Sequence, residues 1–289
     1  MTRLWHRAAA LLAILLALPA LAQNRATPLA VMTYNIRLDL ASDGPDAWPH
    51  RRKALTSLVA YYAPDIIGMQ EVLKRQKDAI EADLPGYRFV GAGRDDGREG
   101  GEYSPVGYRA DRFTLLASGT FWLSPTPDRP GKGWDAAYPR IASWAQLRDR
   151  RTGRAVLAVN THLDHIGPIA QLEGARLIRS WIATHRRAGE PVVLTGDFNS
   201  PIGSPPYAAV GESGMLRDTQ MLSRTPHFGP LGTFNAFKIE QAQDSPIDHI
   251  FVSDGITVLR HATLTQQDGG RLPSDHYPVL ASLCIGRAC

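Results

Sequence analysis

Five apolar runs in this 289-residue chain stop beside side chains able to do chemistry. Val31-Met32-Thr33-Tyr34 ends in Asn35, and Ile66-Ile67-Gly68-Met69 ends in Gln70 and Glu71. The run 156–159 ends in Asn160, Thr161 and His162, and Val192-Val193-Leu194 leads into Asp197 and Asn199. Ser274-Asp275-His276 stands just before the run 279–283. One acid or amide at a strand end is an ordinary turn former. Five such ends in one α/β chain are different, because ligands bind at strand edges in these sheets. Carboxylates, amides and imidazoles with few lysines suit a hard divalent cation and a phosphate beside it. No Gly-x-Ser-x-Gly elbow occurs, and Cys284 and Cys289 lie away from these clusters, so nothing points to a covalent nucleophile.

The elements that must position these residues alternate along the chain. Strands are expected over 29–36, 66–70, 87–90, 105–108 and 113–123, with helices over 51–62 and 74–84. A second run of similar character has a hairpin, 141–149 with 155–161, around Thr152-Gly153. A long helix follows, with Leu177, Ile178, Trp181 and Ile182 on one face, then strands over 192–195, 247–252 and 279–285. No low-complexity linker separates the halves, so residues 23–289 read as one α/β domain. The segment 91–101 holds five glycines among Arg94, Asp95, Asp96, Arg98 and Glu99. It lacks the spacing of a phosphate-cradling fingerprint and reads as a mobile loop, either a substrate lid or a surface excursion.

Six segments, in order, resemble the endonuclease/exonuclease/phosphatase superfamily: Met32-Thr33-Tyr34-Asn35, Gly68-Met69-Gln70-Glu71, Asn160-Thr161-His162, Gly196-Asp197-Phe198-Asn199, Ile247-Asp248-His249-Ile250-Phe251 and Ser274-Asp275-His276. Gly101-Glu102-Tyr103-Ser104-Pro105, Phe121-Trp122-Leu123-Ser124-Pro125 and Gly133-Trp134-Asp135-Ala136 resemble a bacterial subgroup related to nocturnin-type deadenylases and neutral sphingomyelinases. The resemblance implies a four-layer αββα sandwich of two packed mixed sheets flanked by helices.

It also implies roles. Glu71 would bind the metal, Mg²⁺ with Mn²⁺ as the alternative, Asn35 would help position it, and Asp275 would be a ligand or stand behind one. Asp197 would orient and deprotonate the attacking water, with Asn199 donating to a phosphoryl oxygen. His162 and His276 would flank the phosphate, and Asp248 would orient His276. Tyr103, Arg109, Arg140 and Asp164, with His165 beside them, are candidates for binding the rest of the substrate. Trp122, Trp134 and Trp144 could stack a base or fill the core. The expected activity is hydrolysis of a phosphate ester: nucleic acid, nucleotide, inositol phosphate or phospholipid headgroup. A secreted nuclease or nucleotidase and a sphingomyelinase-type diesterase are the alternatives within that chemistry. A non-catalytic module is the alternative outside it, and the presence of Glu71, Asp197, Asn199 and His276 weighs against it.

With 44% hydrophobic and 21% charged residues the composition is that of a globular protein. The formal charge of +4 would suggest a nucleic-acid partner, but the N-terminus qualifies it. Arg3, His6 and Arg7 precede an apolar run over 8–18, followed by Pro19 and Ala20-Leu21-Ala22. This reads as a signal peptide over 1–22, cleaved near Ala22, because the run is far short of the roughly 20 residues that span a bilayer. Cleavage removes two arginines and no acid, which leaves a charge of +2. The expectation is a secreted or periplasmic monomer with no transmembrane segment in the mature chain. Arg51-Arg52-Lys53 and similar clusters read as solvated helix faces. In an exported protein Cys284 and Cys289 could close a terminal disulfide.

Overall fold

The computed structural model describes residues 28–240 and 244–286. The expected leader and Cys289 lie outside the described residues. Cys284 is buried and disulfide-bonded.

Twelve strands form two six-stranded sheets. In chain order they are β1 (Leu29–Asn35), β2 (Ile66–Gln70), β3 (Tyr87–Val90), β4 (Val106–Arg109), β5 (Phe113–Trp122) and β6 (Ile141–Asp149). β7 (Ala155–His162), β8 (Val192–Asp197), β9 (Leu216–Asp218), β10 (Asp248–Ser253), β11 (Ile256–Thr263) and β12 (Val279–Ile285) complete the set. One sheet runs β11-β12-β1-β2-β4-β3 and the other β5-β6-β7-β8-β10-β9. Each has a single parallel pair at its centre, β1 with β2 and β7 with β8, and every other pairing is antiparallel.

A parallel pair needs a crossover, and a helix supplies it in both halves. α1 (Trp48–Tyr62) joins β1 to β2, and α3 (Pro168–His185) joins β7 to β8. Both helices carry proline in the first turn, where a missing N–H costs nothing. α1 stops at Ala63, in the left-handed conformation, just before Pro64. α2 (Lys74–Asp83) packs beside α1.

The strands read as continuous apolar runs because both of their faces are covered. On β1, Leu29 and Val31 face Val156, Val193 and Ile250 in the seam between the sheets. Met32 and Tyr34 point the other way, to Leu55 and Val59 of α1. Leu157, Val159 and Leu194 of the second sheet cover Ile178 and Ile182 of α3. These are the expected four layers.

Departures from expectation include an edge strand and a buried arginine. β11 was not foreseen; it pairs along β12 at the edge of its sheet, with a bulge between Val258 and Arg260, and its alternating burial breaks the apolar run. Arg51 is buried rather than solvated. It donates to the carbonyls of Asp46, Ile36, Arg37 and Pro273, so it clamps the chain leaving β1 to the segment that carries Asp275 and His276.

Candidate active site

Parallel pairing sets the place of the site. The C-terminal ends of β1, β2, β7 and β8 lie at the same end of the two packed sheets, and they carry Asn35, Glu71, His162 and Asp197. β10 starts there, with Asp248 opposite Asp197. Ser274 donates to the carbonyl of Asn35 at 2.7 Å and so brings Asp275 and His276 to the same floor.

The sheets meet closely beneath this floor. Gln70 donates to Asn160 Oδ1 at 2.7 Å, and Asn160 returns a bond to the carbonyl of Met69 at 2.7 Å. Gln70 and Asn160, prominent in the sequence, thus fasten one sheet to the other.

Asn35 bridges the carboxylates above. Its amide nitrogen donates to Glu71 Oε1 at 3.1 Å and to Asp197 Oδ2 at 2.9 Å, while its oxygen accepts from the Arg37 backbone. Arg37, Glu71 and Asn199 all have positive φ, 57°, 61° and 47°. Non-glycine residues adopt this region at a cost of about 1–3 kcal/mol, and such residues cluster at functional sites. Glu71 Oε2 accepts from the Leu38 backbone, and Arg37 approaches Glu71 at 4.0 Å and Asp275 at 3.8 Å.

Asp197 is buried, accepts from the backbone of Asn199, and lies 3.5 Å from His162 Nε2 and 3.8 Å from His276 Nε2. Burial, reinforced by the charge of Asp248, raises its pKa to about 7. Burial opposes the charged form of His276. The carboxylates of Asp248 and Asp197 outweigh that, with Asp248 accepting from Nδ1 at 2.8 Å, and the pKa rises well above the usual value. His162 is held neutral by burial, with Arg140 and Arg94 adding to the effect.

A cleft of about 640 Å³ opens over these groups and includes Glu71, His162, Asp197, Asn199, Asp275 and His276. Arg140 also lines it, held from behind by Asp164 at 3.2 Å. Asp164 itself is fixed by the backbone N–H groups of Gly167, Ile166 and Ala137.

Arg109 does not join them. It sits where β4 pairs with the start of β2, bonded to Asp111, while Glu71 follows the opposite end of that strand. Antiparallel pairing carries its side chain away from the site. Tyr103 is buried, with its hydroxyl donating to the carbonyl of Arg98, and anchors the glycine-rich segment. That segment is closed on itself through Gly93–Arg98 and Asp95–Gly100 backbone bonds, and it delivers Arg94 to the cleft. Trp122 fastens it by donating to the carbonyl of Arg94, Trp144 packs on Trp181, and Trp134 lies outside the cleft lining. Arg94, Glu102 and Tyr138 line the cleft and were not among the expected site residues; the glycine-rich segment 91–101 and the Gly101-Glu102-Tyr103 motif were the signals near them.

Two donor sets could hold a cation. Asp197, Asp248 and His276 present one atom each within 4.8 Å of one another. Glu71 and Asp275 form a second, all-oxygen set. Burial pushes the Asp275 carboxyl up and the nearby charge of Glu71 adds to this, while His276, Arg37 and Arg51 draw it down. That set fits a hard divalent ion.

Known proteins share this fold. A curated relative, uncharacterized protein L388 of Acanthamoeba polyphaga mimivirus, is 26% identical over 53% of this chain, and the chain spans 59% of that protein's length. An endonuclease/exonuclease/phosphatase family protein from Bacteroides thetaiotaomicron superposes with a TM-score of 0.87 at 38% identity, covering 91% of this chain and all of the other. A mannosyl-6-phosphatase from the same organism superposes at 0.83 with 39% identity, covering 88% and 99% of the two chains. The human nocturnin catalytic domain, at 21% identity and a TM-score of 0.68, shares the fold. The family model for the Endonuclease/Exonuclease/phosphatase family matches residues 32–276, from the start of the first motif to the last histidine of the site. The chain therefore belongs to the endonuclease/exonuclease/phosphatase family.

Proposed function

We propose that this chain is an exported, Mg²⁺-dependent phosphoesterase that cleaves its substrate by in-line attack of water activated by Asp197. The observation that carries the reading is the placement of Asp197. It is a buried carboxylate that accepts from Asn35 and lies 3.5 Å and 3.8 Å from two imidazoles, and burial raises its affinity for a proton.

Glu71 and Asp275 would hold the metal, with Asn35 tying Glu71 to the base. Bound there, Mg²⁺ would neutralise charge on the phosphoryl oxygens. Asp197 is the better base than ligand, and His276, bonded to Asp248 and favouring its cationic form, is a poor ligand for any ion. His276 instead donates from Nε2 to the oxygen on which charge builds, and neutral His162 donates or relays on the other flank. Asn199 and Arg140 hold the remaining oxygens. The likeness to a mannosyl-6-phosphatase supports a phosphomonoester over the diesters of a nuclease or sphingomyelinase. The basic, apolar, Ala-x-Ala pattern over 1–22 supports export.

The test is hydrolysis of p-nitrophenyl phosphate with Mg²⁺, after chelation, and in Asp197→Asn. Chelation should abolish turnover and Mg²⁺ restore it, and the variant should lose about 10²–10⁴ in kcat. A folded Asp197→Asn enzyme with full activity would refute the mechanism. N-terminal sequencing of protein from the periplasm or medium should begin near Gln23.

A further inference from the structure

We infer that the cleft wall made by Arg94, Glu102, Tyr138 and Arg140 is a recognition subsite for a neutral, polyhydroxylated group, so that the substrate is a sugar phosphate; this rests on the phosphoesterase reading above.

The wall comes from two loops. Arg94 and Glu102 stand at either end of the glycine-rich segment, bonded to each other through both guanidinium Nη atoms at 2.8 Å. The guanidinium of Arg94 lies 5.0 Å over the ring of Tyr138, which is half exposed and stacks near His165. Arg140 donates to Asp164 Oδ2 and to His165 Nδ1.

Charge decides what this wall suits. Two guanidiniums face two carboxylates, Arg94 with Glu102 and Arg140 with Asp164. A second phosphate or a nucleic-acid backbone calls for surplus positive charge, and none is spare here. The wall offers donors and acceptors side by side. Arg94 Nε, 3.9 Å from an Asp95 carboxylate oxygen, and Arg140 Nη1 have no hydrogen-bond partner although both residues are at least nine-tenths buried. A hydroxyl both donates and accepts, so neighbouring hydroxyls match alternating guanidinium and carboxylate groups. Leu38, Leu40, Phe234 and Ile247 are apolar members of the same cleft lining, able to take the C–H surface of a pyranose ring. A ring bound here would present its phosphate to His162, which is 3.9 Å from Glu102.

Two readouts test the inference. The first is the ratio of kcat/KM for a hexose 6-phosphate to that for p-nitrophenyl phosphate, in the purified protein, in Arg94→Met and in Tyr138→Ala. Loss of a charged hydrogen bond to a hydroxyl should lower this ratio roughly tenfold or more. An unchanged ratio in both folded variants would overturn the subsite. The second is saturation-transfer NMR with a methyl hexopyranoside, which carries no phosphate and needs no turnover. Transfer is expected in the unmodified protein and in Asp197→Asn, and should disappear in Arg94→Met and Tyr138→Ala. Its absence from the unmodified protein at millimolar glycoside would also overturn the subsite. Transfer without hydrolysis of any phosphate ester would leave the sugar site standing while the phosphoesterase mechanism failed.

Discussion

Asp248 reaches the substrate only through His276, and that makes it a positioning residue with a measurable signature. Its carboxylate fixes Nδ1 as a donor and, together with Asp197, outweighs the burial that would otherwise discharge the ring. Asp248→Asn keeps the shape and removes the charge. The imidazolium of His276 should then give way to the neutral ring at pH 7.5, seen by nitrogen NMR, and kcat should fall about 10²–10³. A ring that stays cationic in the variant would show that Asp197, the other carboxylate near it, suffices. The acids and imidazoles of the floor were legible in the sequence because each follows or precedes an apolar run whose length betrays a strand. Arg94 and Glu102 were not, since they lie in a segment with no periodicity, and their meeting depends on the chain doubling back. The left-handed backbone at Glu71 was equally hidden, as glutamate does not announce it, whereas Asn199 is of a type that favours it.

At the scale of elements, the distance between the two sheets decides whether the halves of the site meet. Gly68 sits where they come close. A Cβ there would stand 2.1 Å from Thr195 Oγ1 and 2.3 Å from Asn160 Oδ1, both in the opposite sheet. No rotamer change relieves this cheaply, because Asn160 already bonds Gln70 and the carbonyls of Met69 and Pro105. Gly68→Ala should destabilise the fold by about 1–3 kcal/mol, the usual cost of overpacking a core. It should also lower kcat at full metal saturation, by parting Glu71 from Asp197. A urea midpoint equal to that of the unmodified protein would show that the sheets can separate freely. The strand order of each sheet was beyond the sequence, although the apolar runs marked most members. β11 escaped because an edge strand need hide only one face, so exposed Arg260 interrupts its pattern, and the polar ring of His261 is hidden by a bond to His227.

Across the whole molecule, the sheets are held at the end opposite the site by a buried charge network rather than by the apolar seam alone. Arg112, 2% exposed, donates to Asp65 at 2.6 Å and to Asp149 at 3.1 Å. Asp65 precedes β2 in the first sheet and Asp149 closes β6 in the second, so one guanidinium joins both. It also donates to the carbonyl of Pro28, at the entrance to β1. The contribution has two parts that different variants separate. Arg112→Met keeps much of the volume but leaves two carboxylates buried without their cation, and breaking such a pair costs about 3–5 kcal/mol. A triple replacement, Arg112→Met with Asp65→Asn and Asp149→Asn, removes every charge and should recover part of that loss. Chemical denaturation of the single and triple variants should therefore rank the triple above the single. The opposite order would mean that the pairing itself, not the penalty of an orphaned charge, carries the stability. Metal affinity, measured by titration, should remain within about twofold in the triple variant if the two ends of the sandwich are independent, as sites more than about 10 Å apart usually are. A large fall would show that the far end of the sandwich sets the spacing of Glu71 and Asp275.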